Sequence, residues 1–163
     1  SGVMMLGFRP FSVGDFVETG GLTGTVKAIT LFTTELATVD NKKVIIPNGM
    51  VWDNPIVNYS GCETRRVDLV FGVSYSADLN QAMRSIRSVV EKEERALRDP
   101  EPVIAVDNLG DSSVDIICRV WVAGADYFPV KWALTKAVKE QFDADGVGIP
   151  FPTRTLVMEK GAA

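Results

Sequence analysis

The sequence predicts two small domains in series, an all-β domain followed by an α+β domain. Short β-rich runs separated by turn residues occupy residues 11–60, with little room for helices. Between residues 65 and 145 the pattern changes to strand, helix, strand, strand, helix. The chain has 163 residues and 46% hydrophobic content, which is enough to bury one sizeable core or two small ones.

Five short strands are predicted in the first domain, which we place at residues 11–61. They cover Phe16–Glu18, Gly24–Leu31, Glu35–Val39, Lys43–Ile46 and Ile56–Tyr59. Gly-Asp, Gly-Gly and Asp-Asn pairs fall between these runs, where the chain must reverse tightly or adopt a positive φ. Closing the strands into a small β barrel would remove their exposed edges, so a barrel is the expected fold of this domain.

The second domain, placed at residues 62–152, begins with a half-buried strand and a long helix. The strand alternates apolar and polar side chains, with the apolar set at Val67, Leu69, Phe71 and Val73. The helix begins behind Ser76 and Asp78, two candidate caps, and is expected to run to Asp99 because Pro100 follows.

Two more strands and a second helix complete the predicted α+β domain. The strands are Val103–Val106 and Val114–Val122, and the helix has Pro129 in its first turn and Gly146 as its C-terminal cap. This order of elements is most of a ferredoxin-like split βαβ unit, in which helices pack on one face of a sheet.

The two ends of the chain carry apolar runs that these domains do not explain. Val3–Phe8 is much shorter than the roughly 20 residues that cross a bilayer, and we interpret it as the end of a longer segment. Thr155–Met158 follows two prolines that hold the chain extended. This run could complete the sheet of the second domain, or it could leave that domain.

Composition and motifs argue against an enzyme. The chain contains no histidine, which removes the commonest general base and the most frequent zinc ligand. Asp107, Asp111 and Asp115 flank a predicted hairpin, where a solvated turn is a better explanation than a carboxylate active site. We therefore predict no catalytic residue, no metal site and no cofactor.

Charge and cysteine content restrict the partners and the compartment. The 17 basic and 21 acidic residues give a net charge of −4, a weak basis for binding nucleic acid. Cys62 and Cys118 lie far apart and belong to no metal-binding motif. Reduced thiols in an intracellular protein are the simpler interpretation, and we expect no disulfide between them.

The order and spacing of several motifs resemble the small-conductance mechanosensitive channel (MscS) family. Single motifs such as Pro-Asn-Gly are weak signals, but together they extend over essentially the whole chain. The motifs are Phe8-Arg9-Pro10-Phe11, Gly14-Asp15-Phe16-Val17, Gly20–Val26, Ile45–Gly49, Asn58-Tyr59-Ser60, Arg65-Arg66, Gly72-Val73, Arg119-Val120-Trp121, Trp132, Phe142–Gly146 and Ile149–Pro152.

The resemblance implies an Sm-like β barrel domain joined to a ferredoxin-like α+β domain, in an assembly of seven subunits around a hollow cytosolic cage. Residues 1–10 would be the end of a pore-lining transmembrane helix, with Gly2, Gly7 and Phe8 in its last turns. Residues 153–163 would supply a strand of an inter-subunit β-barrel and the tail. Transmembrane helices would precede this chain, which would lie on the cytoplasmic side of the inner membrane.

The resemblance also implies that the channel opens under membrane tension and that ions and small solutes pass lateral portals in the cage. Asp68, Arg65 and Arg66 lie at the predicted junction between the domains, where the family's portals open, and are the candidate ion-filter residues. Ordinary surface or inter-subunit charges are the alternative explanation for Arg65 and Asp68.

Two other functions are compatible with parts of this pattern. An Sm-like barrel could belong to an RNA-binding ring, although the acidic balance and the lack of an aromatic and basic strand pattern argue against RNA. A ferredoxin-like domain could also be a ligand-sensing regulatory module, for which the sequence indicates no specific pocket.

Overall fold

A computed structural model describes residues 2–161 and divides into two compact units, with the boundary between Glu63 and Thr64. The first unit contains α1 (Gly2–Phe8), β1 (Phe16–Thr19), β2 (Leu22–Ile29), β3 (Thr33–Ala37), β4 (Lys43–Pro47), α2 (Asn48–Trp52) and β5 (Ile56–Asn58). The second contains β6 (Thr64–Val73), α3 (Leu79–Lys92), β7 (Val103–Leu109), β8 (Val114–Ala123), a 3₁₀ turn (Gly124–Asp126) and α4 (Tyr127–Asp145). Across residues 2–161, no helix is both long and apolar enough to cross a membrane.

The first unit is an antiparallel sheet of five strands in the order β4-β3-β2-β1-β5. Gly20 and Gly21 form the two-residue turn between β1 and β2, and both have a positive φ, as the favoured hairpin turns require. The strands β4 and β5 lie at the two ends of this order, and the described ladders do not join them. All five predicted strands are confirmed, while the closed Sm-like barrel stays a prediction.

The Pro-Asn-Gly motif begins a short helix, α2, that the sequence pattern did not predict. Asn48 is only 1% exposed, and its backbone amide donates to the Phe32 carbonyl oxygen in the loop between β2 and β3. Its side-chain oxygen accepts a hydrogen bond from Thr34 Oγ1, and its Nδ2 donates to the Thr30 carbonyl, both at 2.8 Å. A buried amide with its hydrogen bonds satisfied in this way fixes the loop to the start of α2.

The second unit is an antiparallel sheet in the order β6-β8-β7, with α3 and α4 packed on one face. Side chains alternate along β8 between buried and half-buried, so the sheet has one core face and one open face. The predicted caps at Asp78 and Gly146 are confirmed, whereas Ser76 lies before the N-cap of α3. Asp78 accepts a hydrogen bond from the Gln81 amide at 3.0 Å, and Gly146 ends α4 with φ +70°. Three strands are described, so the complete ferredoxin-like sheet stays a prediction.

The predicted end of α3 at Asp99 is wrong, because the helix ends at Lys92. Glu93 leaves the helical conformation with ψ 104°, and its carboxylate binds the side chain and the amide of Arg95. The amide of Leu97 then donates to the carbonyl oxygen of Trp121 in β8 at 2.8 Å. The backbone amide of Leu97 therefore bonds to β8, whereas in a longer α3 it would bond to a carbonyl oxygen within the helix.

The C-terminal segment does not complete the sheet of the second unit. Two hydrogen bonds hold its first part, from the Ser74 amide to the Gly148 carbonyl at 2.9 Å and from the Thr153 amide to Ser112 Oγ at 3.1 Å. Beyond them, Leu156, Val157 and Met158 are 82–88% exposed, and no strand is assigned there within residues 2–161. A barrel formed with other copies of the chain stays a prediction.

Candidate functional site

The candidate filter residues lie on β6, where successive side chains point to opposite faces of the sheet. Arg66 and Asp68 share the open face, two residues apart. Arg66 Nε lies 2.6 Å from Asp68 Oδ1, and its Nη2 lies 2.9 Å from Asp68 Oδ2, so the guanidinium donates two hydrogen bonds to one carboxylate. This pairing with Asp68 raises the pKa of Arg66. Two of the candidate filter residues, Arg66 and Asp68, therefore form an ion pair and not two independent charges.

Two residues of β8 extend this pair into a charged surface. In the strand register, Trp121 lies opposite Arg66, and Arg119 lies opposite Asp68. Residues directly opposite on an antiparallel pair have adjacent side chains, so Asp68 has two arginines as neighbours. With two arginines and one aspartate, this part of the open face carries a net positive charge although the chain as a whole is acidic.

Arg65 does not belong to this surface, because it projects to the other face of β6. Its guanidinium carbon lies 3.6 Å from the centroid of the Tyr127 ring at the start of α4. A cation over an aromatic face is held by the ring quadrupole. Arg65 therefore contacts the first turn of α4, while Arg66 and Asp68 face away from the helices.

The three residues that we assigned to the end of a pore helix lie on α1. Gly2 passes so close to the backbone of Leu31 that an added Cβ would lie 1.7 Å from the Leu31 carbonyl oxygen. Gly7 has open space around its Cα. The Phe8 ring is 75% exposed and packs at a tilt on Trp52, with ring centroids 6.2 Å apart. The helix ends at Phe8, and Arg9 directly after it has φ +42°.

Other candidate reactive groups have structural roles. Asp115 accepts hydrogen bonds from Asn108 and Ser113 in the β7–β8 hairpin, and these bonds lower its pKa. Cys62 and Cys118 are both free thiols, as predicted, and burial raises the pKa of Cys118 to about 11. Within residues 2–161 no group of three or more acidic, cysteine or histidine side chains is arranged to hold a metal ion.

The sequence pattern missed Arg119 and Trp121 as neighbours of the filter candidates. Both belong to a motif quoted above, but the pairing of β6 with β8 spans about fifty residues of sequence. Strand alternation could have placed them on the open face. The register that sets Arg119 against Asp68 appears only in the folded sheet.

Two models of channel domains match the chain. The model described as the mechanosensitive ion channel β-domain matches residues 1–61, and the model described as the MscS C-terminal domain matches residues 67–149. Together they account for both structural units, and the second alone matches more than half of the chain.

Relatives and solved structures agree with these models. A small-conductance mechanosensitive channel of Edwardsiella ictaluri is 40% identical over 152 residues, covering 93% of this chain and 53% of that protein. An uncharacterised MscS family protein of Synechocystis is 39% identical over 155 residues, covering 95% of this chain and 52% of that protein. The chain thus spans about half the length of these relatives.

A crystal structure of Helicobacter pylori MscS in a closed state superposes with a TM-score of 0.92 at 29% identity, covering 98% of this chain and 63% of that one. Arabidopsis thaliana MSL1, at 20% identity and a TM-score of 0.75, shares the fold. The matches to both domain models and to these relatives show that the chain belongs to the MscS family of mechanosensitive channels.

Proposed function

We propose that this chain forms the cytosolic cage of a channel that opens under membrane tension, and that it has no enzymatic activity. The observation that carries the proposal is the match of both structural units, in order, to the two channel domains. The full channel would lie in the inner membrane with this region on its cytoplasmic side. Tension would shift the population toward an open state of larger in-plane area.

The cage requires several copies of the chain, and the C-terminal tail supports such an assembly. Its apolar side chains Leu156, Val157 and Met158 are exposed in the described chain, and isolated strands need partner strands to be stable. The proposed assembly is a heptamer in which Thr155–Met158 forms an inter-subunit barrel. Light scattering on the purified chain tests this step, since a ring of defined mass is expected and a monomer at all concentrations would contradict it.

Ions and small solutes would enter the cage through lateral portals, and the open face of β6 is the proposed filter surface. Arg66, Asp68 and Arg119 are the charges available on it. Because Arg66 neutralises Asp68, the filter would respond to the balance of the three charges and not to the carboxylate alone. Arg65 would act on this surface indirectly, through its contact with Tyr127.

Patch recordings of the full-length channel under graded suction test the channel function. We expect tension-activated currents that survive removal of individual filter charges. A full-length protein that inserts into the membrane but never conducts under tension would contradict the proposal. RNA binding and ligand sensing, the two alternative functions, find no support in the names of the relatives, which include small-conductance mechanosensitive channels.

A further inference from the structure

A cavity of about 330 Å³ in the second unit plays no part in the proposed filter. It lies between the C-terminal half of α3 and the chain that leads into β7. Its apolar lining comes from Val90, Pro102 and Ile104. The charged lining comes from Arg87, Glu91, Arg98 and Glu101. This volume is at the lower end of the range for sites that bind small molecules.

The backbone around this cavity is held in place by hydrogen bonds. Val90 is 2% exposed and belongs to the core of the unit. The Leu97 amide is bound to the Trp121 carbonyl of β8, which fixes the segment that follows α3. Arg98 Nη2 donates to the Glu91 carbonyl oxygen at 2.7 Å and thereby closes one side of the cavity. The backbone of the site is thus formed before any ligand arrives, which lowers the cost of binding, while its four charged side chains are exposed.

The four charged side chains that line the cavity do not pair with one another. Arg87 and Glu91 have the i, i+4 spacing at which opposite charges pair on helices, and Lys136 and Glu140 do pair at this spacing on α4. In residues 2–161 no ion pair includes any of the four lining charges. Arg98 binds a backbone oxygen of Glu91 and leaves the carboxylate of that residue available.

From this arrangement we propose that the cavity binds a zwitterionic solute of amino-acid size. Two guanidinium groups can bind a carboxylate through charge-assisted hydrogen bonds, and two carboxylates can accept hydrogen bonds from an ammonium group. An aliphatic body would then rest on the half-buried Pro102 and Ile104, next to the buried Val90. A simple anion could pair only with Arg87 and Arg98, and a simple cation only with Glu91 and Glu101. A solute that carries both charges can pair with both sets. This inference concerns the chain itself and does not rest on the channel function.

Methyl NMR spectra of the full 163-residue chain test the inference, because the methyl groups of Val90 and Ile104 stay observable in a large assembly. L-leucine is the probe, and two analogues each lack one charge: 4-methylpentanoate has no ammonium and 3-methylbutylamine has no carboxylate. We expect saturable shifts with L-leucine and affinities at least about tenfold weaker for each analogue, the cost of one charged hydrogen bond.

Substitutions locate the site. Arg87→Gln and Glu101→Gln should each weaken L-leucine binding about tenfold. Arg84→Gln is the matched control, since Arg84 lies on the same helix outside the cavity lining and binds Gln81 Oε1 at 2.9 Å. The proposal is overturned if L-leucine causes no saturable shift, if an analogue binds as well as L-leucine, or if the control weakens binding as much as Arg87→Gln.

Discussion

The open face of β6 and the C-terminal tail are both exposed, but only the first finds its partners within the chain. Arg66 and Asp68 form a two-bond ion pair and lie beside Arg119. Leu156, Val157 and Met158 are apolar, at least 82% exposed and in no ladder of the described chain. Water solvates exposed charges well, whereas a run of exposed apolar side chains indicates an interface. This difference agrees with the proposed assembly, in which the sheet face meets solvent and the tail meets other copies of the chain.

Deleting the chain from Thr153 onward is the most direct test of the difference between the tail and the sheet face. We expect the oligomer to be lost while the far-UV circular dichroism stays nearly unchanged, because the deleted part contributes only two described hydrogen bonds to the remaining chain. The Thr153 amide donates to Ser112 Oγ, and Thr153 Oγ1 donates to the Phe151 carbonyl oxygen. Light scattering and circular dichroism give both quantities. A control that ends after Lys160 keeps the apolar run and should assemble normally. Unfolding of the shortened chain would show that the tail belongs to the core.

Buried and exposed apolar side chains should differ strongly in their effect on folding. Phe142 is fully buried and packs edge-on against Phe71, with ring centroids 6.2 Å apart. Phe142→Ala should lower the free energy of unfolding by about 3–5 kcal/mol. Leu156→Ala, on the exposed tail, should change it by less than about 0.5 kcal/mol. Urea unfolding of the full 163-residue chain would measure both, and equal losses would contradict the distinction.

A smaller effect is expected where α3 meets the end of α4. Ser85 is 2% exposed, and its hydroxyl donates to Asp145 Oδ2 at 2.5 Å, while Gln141 donates to the same oxygen at 2.9 Å. These hydrogen bonds lower the pKa of Asp145 below its ordinary value of 3.8. Because the folded state favours the carboxylate, this stabilisation is present above that value and is lost as the pH falls through the lowered pKa.

Ser85→Ala should therefore destabilise the protein more at pH 7 than at pH 3. Urea unfolding at the two pH values measures the difference. Ser88→Ala is the matched control, because Ser88 lies on the same helix without a described hydrogen bond to a carboxylate. Equal destabilisation by Ser85→Ala at both pH values would show that its bond to Asp145 does not depend on the carboxylate charge.

The smallest expected effect concerns the filter surface in the full-length channel. Asp68→Lys should shift the reversal potential toward anions, and Arg66→Gln should shift it toward cations by releasing the Asp68 carboxylate from its partner. Both shifts should be modest, since a charge acts over about 8 Å at physiological ionic strength. The tension threshold should not change.

Patch recordings in a salt gradient measure the potential and the threshold together. Asp111→Asn, in the β7–β8 turn, is a control that removes one exposed charge elsewhere in the unit. Shifts in the same direction for Asp68→Lys and Arg66→Gln would argue that the pair does not face the ion path. A changed threshold would mean that the cage takes part in gating.

Local signals in the sequence located most elements but not their ends. Gly146 correctly predicted the end of α4, because glycine readily adopts the positive φ that follows the last turn of a helix. Pro100 was a poor guide to the end of α3, because a proline sets only the latest point at which a helix can end. The helix ends earlier, at Lys92, and Leu97 then bonds to β8, a contact that no local pattern predicts.

The sequence by itself determined the order of strands and helices, the caps at Asp78 and Gly146, the alternation that places Arg66 and Asp68 on one face, and the family resemblance. These features depend on neighbouring residues or on motif spacing, and both can be recognised in the sequence alone. Only the tertiary structure decided that the Arg66 guanidinium pairs with the Asp68 carboxylate, and that Trp121 and Arg119 lie opposite these two residues on β8. It also decided that four charged side chains without ion pairs line one cavity. Each of these depends on strand register or on side-chain direction across a long stretch of chain, because electrostatic partners are chosen by distance in space and not in sequence.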